Sequence, residues 1–131
     1  MSEAPEARPE AARLVLQLGA SATFLGHGWF AITKKAAWVP FITVWGFSES
    51  TALQLMPVVG VIDIMLAVLV LLRPVRGVLL WMTFWGLFTA ALRPLTGLHF
   101  MDFVERGANW ATPLALLLMR GTPRHWRDLF R

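Results

Sequence analysis

The sequence contains no cysteine among its 131 residues. Disulfide bonds, iron–sulfur clusters and thiol catalysis are therefore excluded for this chain. Charged residues are also scarce, since they make up 15% of the sequence, whereas about 25% is usual for a soluble domain. Hydrophobic residues make up 56%. With so few charges available to cover a surface, most of the chain is expected to face lipid or protein.

A polar face is missing from the stretch between Pro57 and Leu92. The turn Arg73-Pro74-Val75-Arg76 divides this stretch into two apolar runs. A helix on the surface of a soluble protein would show regularly spaced polar residues on its outer side. A bilayer, in contrast, is crossed by a helix of about 20 mostly apolar residues. We therefore predict a helical hairpin that crosses a membrane twice.

The remaining apolar stretches fit around this hairpin as an all-α fold, an integral membrane four-helix bundle. The predicted transmembrane domain is residues 13–119, with crossings at residues 13–32, 51–72, 77–92 and 100–119. The segment 36–50 is apolar but too short to cross, so we predict a short re-entrant or interfacial segment between helices 1 and 2. Residues 1–12 are predicted to form a mobile cytoplasmic tail, and residues 120–131 a basic amphipathic tail on the membrane surface.

The basic residues are distributed unevenly between the two sides of the predicted membrane. One side has eight of them and the other has four: Arg8, Arg13, Arg73, Arg76, Arg120, Arg124, Arg127 and Arg131 against Lys34, Lys35, Arg93 and Arg106. Because cytoplasmic loops are enriched in Lys and Arg, both termini are predicted to be cytoplasmic, in a bacterial inner membrane. This topology accounts for the net charge of +4 without a nucleic-acid partner.

Four polar residues are expected to meet on the non-cytoplasmic side. His27 ends the first crossing, Arg93 ends the third, and Glu105 and Asn109 share a face of the fourth. Ionisable groups in a membrane are costly, so they normally pair or line a wet cavity. We predict that these four residues line one polar pocket.

Three interpretations of this cluster stay open. In the structural one, Arg93 pairs with Glu105 or Asp102 and only sets the depth of the helices. In the functional one, the pocket holds a quinone or another small polar headgroup, and a His and a carboxylate bind its oxygen atoms. In the third, His27 and His99 ligate a metal or haem, although their spacing matches no ligand motif. No metal site is predicted.

Asp63 lies near the middle of the second predicted crossing, at a depth where no cation is predicted. We expect it to be neutral, because an unpaired ionised carboxylate is costly inside a membrane. One role is an interhelical hydrogen bond with Thr23, Thr83 or Thr112. The other is a proton relay.

The spacing of several residues in the first 90 positions resembles that of the DoxX-like family of small four-helix integral membrane proteins. These residues are Arg13, Gly19, Phe24, the Gly26-His27-Gly28 stretch, Gly60, Asp63 and the turn at 73–76. Asp63 stands where the family commonly has glutamate, and the stretch 105–110 lies outside the pattern. The family includes small subunits of thiosulfate:quinone oxidoreductase, so the resemblance implies a role in a membrane redox system.

Two functions follow as hypotheses. The first is a subunit of a quinone-linked membrane oxidoreductase system, with quinone as the possible cofactor. The second is a non-catalytic accessory or assembly subunit that packs against a larger membrane complex. The seven tryptophans and the small residues of the first crossing fit the second equally well. In both, the partners are the lipid bilayer and other membrane protein subunits. No catalytic residue is assigned.

Overall fold

The computed structural model describes residues 3–131, and every regular element in that range is helical. The α-helices are α1 (Pro9–Ile32), α2 (Val39–Thr43), α3 (Glu49–Leu72), α4 (Arg76–Leu95), α5 (Phe100–Val104) and α6 (Gly107–Arg120). Two short 3-10 helices, Ala36–Trp38 and Trp126–Phe130, complete the fold. The prediction of an all-α protein is confirmed.

Helices α3 and α4 are each long and apolar enough to cross a membrane. In the most apolar part of each helix only 33% of the residues are buried within the protein. Their outward-facing side chains are large and apolar, as Val58, Met65 and Leu72 on α3 and Phe84 on α4 show. A core helix of a soluble domain would instead cover its apolar residues and expose a polar face.

Local sequence signals define the ends of this helical hairpin. The Ser48 hydroxyl accepts a hydrogen bond from the Thr51 amide at 3.2 Å, so it caps the first turn of α3. At the other end, Pro74 disfavours helical geometry at Arg73, and α3 stops at Leu72. The chain resumes as α4 at Arg76. Because the turn is so short, the two helices must run antiparallel.

Helices α1 and α3 pack backbone against backbone. A Cβ atom added to Gly28 would lie 2.8 Å from the Gly60 carbonyl oxygen, so neither helix has room for a side chain at this crossing. Two side chains of α1 also donate hydrogen bonds to α3: Ser21 to the Ala67 carbonyl at 2.8 Å and Gln17 to the Val70 carbonyl at 2.9 Å. Small residues and interhelical hydrogen bonds are how helices associate in lipid.

The other long helices leave a gap in the bundle. Helix α1 packs between α3 and α6, and α6 packs on α4 through a close approach of Gly86 to the Asn109 backbone. Helices α3 and α4 touch each other much less. The segment 36–47, which contains α2, packs on α3 and covers this gap at one end. The predicted interfacial segment is thus a pair of short helices.

The prediction that the fourth crossing is one continuous helix is wrong. The crossing is broken between α5 and α6 at Glu105 and Arg106. The Arg106 guanidinium donates to the Asp102 carbonyl at 3.0 Å, and Gly107, a weak helix former, follows immediately. Arg106 therefore starts a new helix instead of continuing the old one. Residues 100–120 still traverse the bundle from one end to the other.

Three other boundaries differ from the predicted ones. Helix α1 begins at Pro9, because proline is well accommodated in the first turn of a helix, so part of the predicted tail 1–12 is helical. Residues 1 and 2 of that tail lie outside the described residues. Helix α3 begins at Glu49. Helix α4 extends through Arg93 and Pro94 to Leu95, so these two residues form its last turn and not a loop.

The two ends of the bundle are structurally distinct. We call the end with the turn 73–75 and the segment 121–131 the tail end, and the opposite end, with residues 33–48 and 96–99, the cavity end. At the tail end Arg76 donates to the backbone oxygens of Arg120, Gly121 and Arg131, the bond to Gly121 being 2.6 Å long. The C-terminal segment is thereby fixed against the start of α4.

Candidate functional site

A cavity of about 390 Å³ lies between α3 and α4, beneath the segment 36–47. Its volume falls within the range of about 300–1,000 Å³ that is common for small-molecule sites. The walls are mainly apolar and aromatic, with a few polar side chains. The lining residues are Thr23, Phe24, His27, Ala31, Trp38, Phe41, Ile42, Trp45, Met56, Val59, Asp63, Trp85, Gly86, Phe88, Thr89, Leu92, Arg93 and Asn109.

Arg93 is the buried cation of the cavity, with only 4% of its surface exposed. Its guanidinium donates to the Thr89 carbonyl one turn earlier in α4. The guanidinium carbon lies 4.6 Å from the centre of the Phe41 ring and 6.0 Å from that of Trp38. Such cation–π contacts hold a desolvated guanidinium. The Nε–H of Arg93 has no hydrogen-bond partner within residues 3–131.

Asp63 is buried to the same degree, at 4% exposure, and lies deeper in the bundle than Arg93. Its Oδ1 atom has no hydrogen-bond partner in the described part of the chain. The expected bond to a threonine is absent there. Thr83 instead donates to the Leu79 carbonyl of its own helix at 2.8 Å, since a helical threonine reaches the preceding turn easily. The indole of Trp85 lies beside the Asp63 carboxyl.

His27 and Asn109 also line the cavity, as the sequence predicted. The His27 ring meets the edge of Trp38 at 5.6 Å between ring centres. Asn109 lies where α6 crosses α4 at Gly86. Since α1 and α6 are neighbours, His27 and Asn109 reach the cavity from adjacent helices, and Arg93 joins them from α4.

Glu105 is the predicted site residue that the structure does not bring to the cavity. Its carboxylate pairs with Arg106 at 2.6 Å, and 63% of its side chain is exposed. The break between α5 and α6 is the reason, because it separates Glu105 from the helix face that carries Asn109. Arg93 therefore stacks on aromatic rings instead of pairing with Glu105 or Asp102. The binding of a cofactor by the other predicted residues stays a prediction.

His99, the second histidine of the metal or haem interpretation, has a structural role. It precedes α5, and its Nδ1 atom accepts a hydrogen bond from the Met101 amide at 3.1 Å. His99 is thus the N-terminal cap of that helix. It does not line the cavity that contains His27.

Sequence reasoning missed the aromatic walls of the cavity. Trp85 stacks on Phe88 at 5.5 Å between ring centres, and Phe88 stacks on Trp45 at 5.9 Å. A signal was present, since α4 carries aromatic residues at 81, 84, 85 and 88, which is the spacing of one helix face. No comparable signal showed that Trp38 and Phe41 would fold over Arg93.

This arrangement can hold a flat apolar molecule that carries polar atoms. Aromatic rings offer stacking surfaces, while Arg93 contributes a free N–H donor and Asp63 a free oxygen. Buried polar atoms of proteins nearly always have a hydrogen-bond partner, and one without a partner calls for an explanation. Two residues with such atoms in the wall of one cavity indicate a binding site better than either would alone.

Comparison of the chain with family models, with curated proteins and with solved structures finds no match.

Proposed function

We propose that the chain is an integral membrane protein of the DoxX-like type, a four-helix bundle that serves as a subunit of a quinone-linked membrane oxidoreductase system. The observation that carries this proposal is the aromatic cavity with its two buried, incompletely bonded side chains, Arg93 and Asp63.

The exposed side chains of the bundle support a membrane location for α1 and for residues 100–120, in addition to α3 and α4. Helix α1 exposes large apolar side chains, among them Leu14, Leu25 and Trp29, as a helix in contact with lipid would. Residues 100–120 would cover about 30 Å if helical throughout, which is the thickness of a hydrocarbon core. We therefore retain four crossings, the last of them broken, with both termini on the cytoplasmic side of a bacterial inner membrane.

The cavity fits a quinone headgroup by its chemistry. A quinone has a flat ring that can stack on Trp85 or Phe88, and oxygen atoms that accept hydrogen bonds. Arg93 and His27 offer donors to such oxygens. A bound quinone would supply two-electron redox chemistry; the residues of this chain would bind the ring, orient it and keep water away from it.

The test is the quinone content of the purified protein. Wild-type protein isolated in detergent from bacterial membranes should yield close to one quinone per chain on solvent extraction and chromatography. Replacing a polar lining residue, His27→Leu, should lower this ratio several-fold. Glu105→Gln is the matched control, because Glu105 lies outside the cavity, and it should leave the ratio unchanged. A quinone content no higher than that of an unrelated membrane protein from the same membranes would overturn the proposal.

One observation favours the alternative of an accessory or assembly subunit. Helix α1 exposes Gly19, Ala22 and Gly26 along one side, and within residues 3–131 nothing beyond the adjoining part of α1 lies within 4 Å of a Cβ added to Gly26. Exposed small residues let another membrane helix approach closely. Copurification of larger membrane subunits, with no extractable quinone, would support this function in place of the first.

A further inference from the structure

We propose that the tail end of the bundle binds the phosphate group of an anionic phospholipid, through arginines that surround the exposed rings of Trp126 and Phe130. This site lies at the opposite end of the molecule from the cavity, so it is independent of quinone binding and needs only that the bundle lies in a membrane. The amphipathic tail expected from the sequence gains here a lipid class and the residues that select it.

The segment 121–131 is held against the bundle and does not extend from it as a free tail. The Arg76 guanidinium donates to the Gly121 carbonyl at 2.6 Å and to the Arg131 carbonyl at 3.3 Å. A Cβ added to Gly77 would lie 2.8 Å from the Leu129 carbonyl oxygen, so the segment packs directly on the first turn of α4. The backbone of the segment is therefore in place before a ligand binds, which lowers the entropic cost of binding.

Two large aromatic side chains of this segment face outward. Trp126 is 69% exposed and Phe130 is 65% exposed, and their rings meet edge to face at 6.4 Å between centres. They lie close to the end of α3, since the Arg73 guanidinium is 3.5 Å from the Phe130 carbonyl oxygen. Leu72, the last residue of that apolar helix, is exposed. Tryptophan beside the end of an apolar helix is typical of the boundary between the hydrocarbon core and the lipid headgroups.

The arginines near these rings have no carboxylate partner in the part of the chain that the structure describes. Within residues 3–131, no salt bridge includes Arg73, Arg124 or Arg127, and all three are exposed. Asp128 does not neutralise them, because its carboxylate accepts hydrogen bonds from two backbone amides instead. Three uncompensated cations at the level of the headgroups attract anionic lipids.

A recess of about 410 Å³ lies among these side chains. It is lined by His125, Trp126, Arg127, Asp128 and Arg131. The Arg127 guanidinium lies 5.5 Å from the centre of the Trp126 ring, a cation–π contact that keeps the charge beside the ring. A guanidinium can give two parallel N–H donors to a phosphate. Phosphatidylcholine also carries a cation, which the arginines would repel, whereas phosphatidylglycerol carries only the phosphate charge.

Native mass spectrometry of the delipidated wild-type protein in detergent tests this preference. Phosphatidylglycerol and phosphatidylcholine with identical acyl chains are titrated separately, and the apparent Kd of the first bound lipid is measured. We expect phosphatidylglycerol to bind at least about tenfold more tightly, and the difference to shrink as the salt concentration rises, because exposed charges are screened. Equal Kd values at low salt would overturn the proposal and would point to an acidic protein segment as the partner of the arginines.

Charge variants then locate the site. Arg124→Gln and Arg127→Gln should each weaken phosphatidylglycerol binding by about fivefold, the effect of one basic residue near a membrane surface, and should hardly change phosphatidylcholine binding. Arg127→Lys keeps the charge and should lose less than Arg127→Gln. Lys35→Gln is the matched control, because it removes an exposed cation from the cavity end, and it should have no effect. A preference that survives replacement of both arginines, or that Lys35→Gln lowers equally, would place the lipid elsewhere and refute this site.

Discussion

At the scale of single residues, Arg93 shows how this protein accommodates a buried charge without a carboxylate partner in the described chain. The guanidinium has the face of Phe41 at 4.6 Å and the carbonyl of Thr89 as its contacts. A guanidinium suits this position because it is planar and more weakly hydrated than an ammonium group. The contacts stabilise the charge and leave the buried Nε–H without a hydrogen-bond partner in residues 3–131. Arg93 is therefore both part of the fold and part of the site.

Asp128 is an ionisable residue whose role is confined to the C-terminal segment. Its Oδ2 atom accepts hydrogen bonds from the backbone amides of Arg124 at 3.0 Å and His125 at 3.1 Å. These bonds favour the ionised carboxylate and hold the pKa of Asp128 below its usual range. A lowered pKa in the folded state means that the carboxylate stabilises the segment at neutral and mildly acidic pH. This contribution is lost only as the pH falls through the lowered pKa.

The pH dependence of the segment 121–131 is therefore predictable. The amide NMR signals of Arg124 and His125 in micelles should stay constant on acidification to the ordinary carboxyl pKa of about 3.9, and should shift only below it. In Asp128→Asn the same signals should already be displaced at pH 7, because an amide oxygen is a weaker acceptor than a carboxylate, and should not titrate. A wild-type midpoint at or above the ordinary carboxyl pKa would contradict the prediction.

The residues of the cavity were partly predictable from the sequence. His27, Arg93 and Asn109 were grouped with Glu105 because each is a polar residue near the same end of an apolar segment, and these three line the cavity in the structure. Asp63 was recognised as unusual but not placed in the same cavity, since depth along a helix does not show which neighbour the residue faces. Trp38 covers Arg93 because the segment 36–47 folds back over the helices. No local sequence pattern predicts that fold.

At the scale of helices, two close crossings fix the positions of the cavity walls. At one, Gly28 of α1 meets Gly60 of α3; at the other, Gly86 of α4 meets the backbone of Asn109 in α6. These contacts draw α3 toward α1 and α4 toward α6. Helices α3 and α4 are thereby held apart, so the cavity is a consequence of where the glycines lie.

Two glycines of α1 offer a matched pair for testing this packing. A Cβ at Gly28 would lie 2.7 Å from the Ile64 side chain and 2.8 Å from the Gly60 carbonyl oxygen, whereas a Cβ at Gly26 would have no atom of the described chain within 4 Å beyond the adjoining part of α1. Gly28→Ala should destabilise the protein by about 1–3 kcal/mol through overpacking. Gly26→Ala should be neutral or stabilising by up to about 1 kcal/mol, because alanine is the better helix former. Equal unfolding free energies for the two variants in detergent would disprove the close crossing.

The helices were predicted well where a long apolar run defines them, and poorly where the contacts of a single side chain decide where a helix ends. The length and uniformity of the apolar runs were enough to place α3 and α4 to within a few residues. The break between α5 and α6 was missed; there the Arg106 amide donates to the Phe103 carbonyl, and the Arg106 guanidinium takes the Asp102 carbonyl that a continuous helix would have used. That contact follows from the folded geometry and not from the apolar pattern.

At the scale of the whole molecule, the basic residues at the two ends are held differently. At the cavity end Arg93 is buried and Arg106 pairs with Glu105. At the tail end Arg76 binds backbone oxygens of the C-terminal segment, and Arg124 and Arg127 are exposed. Lys34 and Lys35 are exposed at the cavity end, against Arg8, Arg124, Arg127 and Arg131 at the tail end, so the tail end presents more exposed basic residues. Because cytoplasmic loops of membrane proteins are enriched in Lys and Arg, this difference in exposed charge favours the cytoplasmic side for the tail end.

This orientation can be tested by labelling single cysteines, which are unique because the natural sequence has none. Ala36→Cys lies at the cavity end and Thr122→Cys at the tail end, and both positions are exposed. A membrane-impermeant maleimide added to intact spheroplasts should label Ala36→Cys at once, and Thr122→Cys only after permeabilisation. Ala52→Cys, at a position with 0% exposure, should resist labelling until the protein is denatured. Equal labelling of positions 36 and 122 in intact cells would show that the two ends share one side, and the spanning bundle would then have to be abandoned.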